Sequence, residues 1–149
     1  MAFKETVRSI LQSKGQEAWS VPPEATVYDA LTLMAAKQVG ALVVVSEGSL
    51  VGMFSERDYA RKLILHGKSS RDTAVREIMS APVVTVTGEQ TVEECMKIMT
   101  HHRIRHLPVM DGEKLAGVVS IGDLVNSIIS AQAETIHQLS GYIAGKYPG

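Results

Sequence analysis

Hydrophobic positions along the chain fall into two patterns, and each pattern occurs twice. Val27, Ala30, Leu31, Met34 and Ala35 follow the i, i+3, i+4, i+7, i+8 spacing of one apolar helical face. Ala41 to Val45 is an unbroken, mostly β-branched run, the pattern of a buried strand. Ser46-Glu47-Gly48-Ser49 reads as a turn, Leu50 to Phe54 as a second strand, and Ser55 opens a helix expected to reach about Leu65. The same order returns with Val92 to Met99, His106 to Met110, Asp111 to Lys114, Leu115 to Val119 and a helix from about Ile121. A short extended segment precedes each first helix, Trp19 to Val21 and Val83 to Val86. Each copy therefore reads β-α-β-β-α.

The copies align without a gap at a constant offset of 65 positions, from Thr26 on Thr91. Between positions 21 and 64, twelve residues match their partners, among them Val27 and Val92, Met34 and Met99, Gly52 and Gly117. Chance at ordinary composition would supply roughly three, so the chain is an internal duplication. A unit of about 50 residues buries too little apolar surface by itself. The expected fold is therefore α/β (α+β), with two repeats packed sheet to sheet about a pseudo-two-fold axis. The divisions read as a helical flank over 1–18, copy one over 19–72, copy two over 73–130 and a helical tail over 131–149. Copy two is expected to open with a short helix over Thr73 to Met79. Val7, Ile10 and Leu11 in the first flank, and Ile136, Leu139 and Ile143 in the tail, form apolar faces. Neither flank is assigned to the repeat, and each is expected to cover the module or to bind a second chain.

Composition narrows the function. The formal net charge of −1 gives no general attraction to nucleic acid or to an anionic membrane, so any anion site must be local. One cysteine, Cys95, excludes an intramolecular disulfide. With no membrane-length apolar run and no signal-peptide core, a cytoplasmic protein is expected. There is no Walker-A loop, no Gly-x-Ser-x-Gly elbow and no metal-binding histidine pair at helical spacing, so no enzyme is expected.

The strongest local signal is a pair of matching strand-to-helix turns, Gly52 to Asp58 and Gly117 to Asp123. Ser55 and Asp58, like Ser120 and Asp123, have the spacing of a helix cap. The same geometry suits a ligand. Backbone N–H groups and a serine at a helix start can hold phosphate or sugar oxygens, and an aspartate can accept from the vicinal hydroxyls of a ribose. Gly52 and Gly117 would let a ligand approach the backbone. A basic cluster, His101-His102-Arg103-Ile104-Arg105-His106, is the second feature. His101 and His102 read as a solvated helix end. Arg103 and Arg105 flank Ile104 and share a face in an extended stretch, where arginine suits bidentate phosphate contact. Zinc is not expected, because no Cys-x-x-Cys accompanies the histidines. Cys95 lies mid-helix and reads as a small core residue. Trp19 either closes a pocket or packs on the core.

The duplicated pattern, with its hydrophobic strand, Gly, Ser three positions on and Asp three further, resembles the CBS-motif pair, or Bateman module. The likeness covers about residues 19 to 130, and Ser55 to Lys62 resembles small bacterial proteins made of the pair alone. The resemblance implies a ligand-sensing signal-transduction module that binds AMP, ADP, ATP or NAD between its copies, with no catalytic cofactor and no metal. It implies one site built on Ser120, Gly122 and Asp123, with Arg105 and His106 near the phosphate and Ala25, Ala30, Val39 and Gly40 about the base. It implies a second site built on Ser55, Arg57 and Asp58, facing Thr91, Cys95, Ile104 and Arg105. Gly40-Ala41 stands in copy one where copy two has Arg105-His106, and Gly122 stands where copy one has Arg57. The two clefts should thus be unequal, with the Asp123 site favoured. The resemblance also implies a homodimer and a regulated target protein encoded elsewhere. The alternative is a constitutive interaction subunit with vestigial clefts; a nucleotide-hydrolysing enzyme is a remote third reading.

Overall fold

The computed structural model describes residues 5–15 and 18–143, with side chains described as far as Gln132. Its elements run α1 (Val7–Lys14), β1 (Ser20–Val21), α2 (Val27–Lys37), β2 (Ala41–Ser46), β3 (Ser49–Ser55) and α3 (Glu56–Asp58), followed by a π-helical segment, Tyr59–Ile64. Then come α4 (Val75–Ile78), β4 (Val86–Thr87), α5 (Val92–His102), β5 (His106–Asp111), β6 (Lys114–Ser120) and α6 (Ile121–Ile143). Two three-stranded sheets form, β1-β2-β3 and β4-β5-β6, each with a parallel first pair and an antiparallel second pair. The duplication extends to irregularities. Both hairpins shift register at the same place, between Val44 and Val45 and between Val109 and Met110. Both long helices end on a left-handed residue, Gln38 in α2 and Arg103 in α5.

Strand alternation explains how the sheets are used. Leu42, Val44 and Phe54 point into the core of copy one, and Leu107, Val109 and Val119 into that of copy two. Val43, with no exposed surface, and Pro108 are buried on the opposite faces, outside either core. The two repeats pack sheet to sheet.

Two differences from the sequence reading matter for the site. The helix after Ser55 is a single α-turn that widens into a π-helix, rather than one α-helix to Leu65. More consequentially, the flanks exchange places. The backbone N–H of Val75 donates to the Ala25 carbonyl at 2.8 Å, that of Arg76 to Pro23 at 3.0 Å, and that of Val27 to Thr73 at 2.9 Å. So α4, expected to head copy two, is seated on copy one. The matching bonds on copy two come from α1: Val7 to Gln90, Arg8 to Gly88, and Val92 to Glu5, each 2.9 Å. Val7, Ile10 and Leu11 are buried in the core of copy two. Helix α1 is therefore an integral part of the second repeat, not a flank.

Among the described residues, no helix is long and apolar enough to cross a membrane. Helix α6 is continuous through 130–131, and the apolar tail face of Ile136, Leu139 and Ile143 lies outside the described side chains. Trp19 packs on the core of copy one, with Lys37 Nζ 4.2 Å from its ring centroid. That fits its packing reading.

Candidate functional site

Both Ser-x-x-Asp turns are helix caps. In copy one, Asp58 N–H donates to Ser55 Oγ at 3.2 Å and Ser55 N–H donates back to Asp58 Oδ2 at 3.0 Å. In copy two, Asp123 N–H donates to Ser120 Oγ at 3.2 Å and Ser120 N–H to Asp123 Oδ2 at 2.8 Å. Each turn is tied to the preceding strand in the same way, through Glu56 N–H to the Gly40 carbonyl at 3.1 Å and Ile121 N–H to the Arg105 carbonyl at 2.8 Å. These bonds hold serine and aspartate rigidly at the edge of each sheet.

The cations that balance the two aspartates differ in origin. Asp58 is buried and its Oδ1 accepts from Ser80 Oγ at 3.0 Å, with Lys62 Nζ at 3.1 Å. Lys62 follows Asp58 by one helical turn. The equivalent of Lys62 in copy two is Ser127. There Lys14, the last residue of α1, places its Nζ 2.6 Å from Asp123 Oδ2 and 3.0 Å from the Val118 carbonyl. Burial raises the Asp123 carboxyl, but Lys14 and Ser120 outweigh it and hold the group below its ordinary value. Burial pushes the nearby His106 imidazole below its usual value, opposed by Asp123 and assisted by Lys14.

A cleft of about 720 Å³ opens on the Asp58 side. Ala41, Met53, Pro82, Val83, Val84 and Ile104 give it apolar walls. Arg57, Arg61, Lys62, Arg103 and Arg105 face it against only Glu56 and Asp58. A chain of near-zero net charge thus concentrates cations around one concave, partly apolar site. Arg57 also donates across the cleft to the Arg103 carbonyl, linking the start of α3 to the end of α5.

The cleft brings together Ser55, Arg57, Asp58, Ile104 and Arg105, and it also includes Gly40 and His106, expected at the other site. Gly40 lies against the His106 ring: a Cβ there would come 3.7 Å from it and 3.7 Å from Glu56 Oε1. Ser120, Gly122 and Asp123 stand apart from this cleft, beside Lys14. Two expected contacts, Thr91 and Cys95, require correction. Ala30 and Cys95 have no exposed surface and fill the two cores, and burial raises the Cys95 thiol to about 11. Val39 packs against the core of copy one. Ala25, half-buried, is backbone-paired with α4, and Thr91, also half-buried, with the start of α1. Thr91 and Cys95, expected at the Asp58 site, do not line the cleft. Nor does Gly52 admit a ligand. A Cβ there would fall 2.5 Å from Met79 Sδ and 3.2 Å from the Ser80 carbonyl, so its space is taken by the α4–β4 link.

Sequence reasoning missed Lys14, Lys62, Ser80 and the Pro82–Val84 wall. A signal for Lys14 existed. Val7-Arg8-Ser9-Ile10 repeats as Val75-Arg76-Glu77-Ile78, at an offset of 68 rather than 65. Among the described residues, no group of three or more His, Cys, Asp or Glu could hold a metal.

Comparison with known proteins agrees with this architecture. A family model described as CBS domain matches residues 7–65 and 75–130. The chain is 41% identical over 152 residues to a mitochondrial CBS domain-containing protein, CBSX3, of Arabidopsis thaliana, covering 95% of this chain and 73% of that one. It is 33% identical over 125 residues to the CBS domain-containing protein YhcV of Bacillus subtilis, covering 84% and 89%. A solved structure from Burkholderia ambifaria, described as a signal-transduction protein with CBS domains, is 51% identical with a TM-score of 0.83, covering 85% and 96%.

Proposed function

The chain belongs to the CBS-domain family as a tandem pair, and on that footing we propose that it senses an adenine nucleotide in the cleft between its copies. CBS pairs are regulatory modules, typically non-catalytic. The observation that carries the ligand class is the charge of the cleft: five Lys and Arg side chains against two carboxylates, around apolar walls. Such walls suit a purine, and the cations suit a phosphate chain. AMP, ADP and ATP are the first candidates, and NAD the second. To signal, the ligand must bind one arrangement of the two copies better than another. Arg57, which donates across the cleft to the Arg103 carbonyl, would couple occupancy to that arrangement.

Calorimetry with AMP, ADP, ATP, NAD and S-adenosylmethionine tests the reading. The phosphate-bearing ligands should bind, and added salt should weaken them. Arg105→Glu should cost about 1.5–3 kcal/mol of that affinity, the scale of a charged hydrogen bond. Absence of heat at millimolar ligand would favour the constitutive interaction subunit instead.

The module is also proposed to form a homodimer. Ile64 is 52% and Leu65 77% exposed at the end of the π-helical segment, and Ile129, the equivalent of Ile64, is 56% exposed on α6. These pseudo-equivalent helices give a two-fold partner an apolar face to cover. Light scattering at micromolar concentration should report twice the chain mass, and Ile129→Asp should lower it. A monomeric wild type would contradict the dimer.

A further inference from the structure

Helix α1 and the α4–β4 link reach corresponding places on opposite copies, but they carry different chemistry there. At the 68-position offset, Lys14 matches Pro82. Pro82 forms part of the wall of the open cleft beside Asp58. Lys14 instead lies on Asp123, with its Nζ 2.6 Å from Oδ2. The counter-ion of Asp123 comes from 109 positions away in the chain, while Ser127, at the position equivalent to Lys62, carries no charge and bonds to Glu5. The pair is only partly enclosed, with side chains 36% and 20% exposed, so a ligand can compete for it.

We propose that Lys14 is a specificity-determining residue of the copy-two site around Asp123, admitting phosphorylated nucleosides and turning away unphosphorylated ones. The inference rests on the nucleotide reading above and sharpens it. A ribose diol donates to carboxylate oxygens, and Asp123 Oδ2 already accepts from Lys14 and from Ser120 N–H. A nucleoside that displaces Lys14 returns nothing to the ammonium. A nucleotide displaces it too, but its phosphate oxygens accept the same ammonium, so no charge is stranded. Val7, Ile10 and Leu11 anchor α1 in the core of copy two, so the lysine side chain can move while the helix stays in place. In copy one the task is shared. Arg57, Arg61, Arg103 and Arg105 face the cleft as well as Lys62, and no single cation there decides the outcome.

Site-resolved titration tests this. Amide shifts of Ile121 and Gly122 report copy two, those of Glu56 and Arg57 report copy one, and the ligands are adenosine and AMP. At copy two, AMP should bind about tenfold or more tightly than adenosine in the wild type, the scale of one charge-assisted contact. Lys14→Gln should bring the two affinities to within about threefold, whereas Lys14→Arg should preserve the preference. The preference at copy one should not change in either variant. If copy one binds and the copy-two preference ignores Lys14, the gate is wrong and the nucleotide reading stands. Binding confined to copy one in every variant likewise overturns the gate. If neither ligand shifts either site at millimolar concentration, both ideas fall together.

Discussion

Deleting residues 1–14 should destabilise the second half of the protein more than the first. Val7 is fully buried, and Ile10 and Leu11 keep only 6% and 3% of their surface exposed, all within the core of copy two. Burial of one such side chain is worth about 1.5–3 kcal/mol, so losing three removes roughly 5 kcal/mol or more. That is comparable with the whole stability of an ordinary domain, about 5–15 kcal/mol. The deletion would also orphan the Val92 N–H, which donates to Glu5, and the carbonyls of Gly88 and Gln90. Native-state hydrogen exchange on the truncated chain reads the result. Protection in α5, β5 and β6 should drop sharply, while β2 and β3 retain more of theirs. Equal loss in both copies, or none, would contradict this account of α1.

The second large effect is expected at Asp58. Asp58→Ala should cost roughly 3 kcal/mol, combining a lost cap of about 1 kcal/mol with the loss of charge-assisted bonds worth about 1.5–3 kcal/mol each, only part of which water can replace. Asp58 is buried, and its carboxylate accepts from Ser55 N–H, Ser55 Oγ, Ser80 Oγ and Lys62. Removing it strands several donors at once and loosens the wall of the cleft, so nucleotide affinity should fall with stability. Asp123→Ala should cost less, about 1–2 kcal/mol, because its side chain is 20% exposed against 9% for Asp58, so solvent screens its charge more. The Asp123 contribution also depends on pH. Its folded pKa is depressed, so the stabilisation is complete above the ordinary carboxylate value and disappears as pH falls through the lower folded value. Denaturant melts of both variants at pH 7 check the ranking. Equal destabilisation would show that the extra bonds at Asp58 contribute nothing.

Much of the fold was legible because duplication doubles every weak signal. A lone Ser-x-x-Asp turn reads as a cap, and both turns are caps; only their recurrence after a glycine suggested a site. The helical face of Val27 to Ala35 and the strand run of Ala41 to Val45 each mapped onto an element within a few residues. The π-helical widening after Asp58 was not legible, since its apolar spacing satisfies an α-helix equally well. The exchange of α1 and α4 was hidden by a three-residue change of offset, which a search at one fixed period passes over. The cleft was half legible. Arg57, Asp58 and Arg105 carry their chemistry in their side chains. Met53 and Pro82 to Val84 line it only because β3 pairs with Ser80, through the Met53 and Ser80 backbone bonds of 3.0 and 2.8 Å. Long-range pairing of that kind leaves no local mark.

The exchanged helices also bear on how the protein can be cut. The loop between the copies, near residues 66–72, looks like the natural place to separate them. A break there would leave the first fragment carrying the α1 that seals copy two, and the second carrying the α4 that seals copy one. Each piece would hold the other's lid and lack its own. Neither is built to stand alone, yet mixed together they contain every contact of the intact chain. Fragment complementation, rather than independent folding, is the behaviour this topology favours, and between two intact chains the same reciprocity offers a route to swapped dimers.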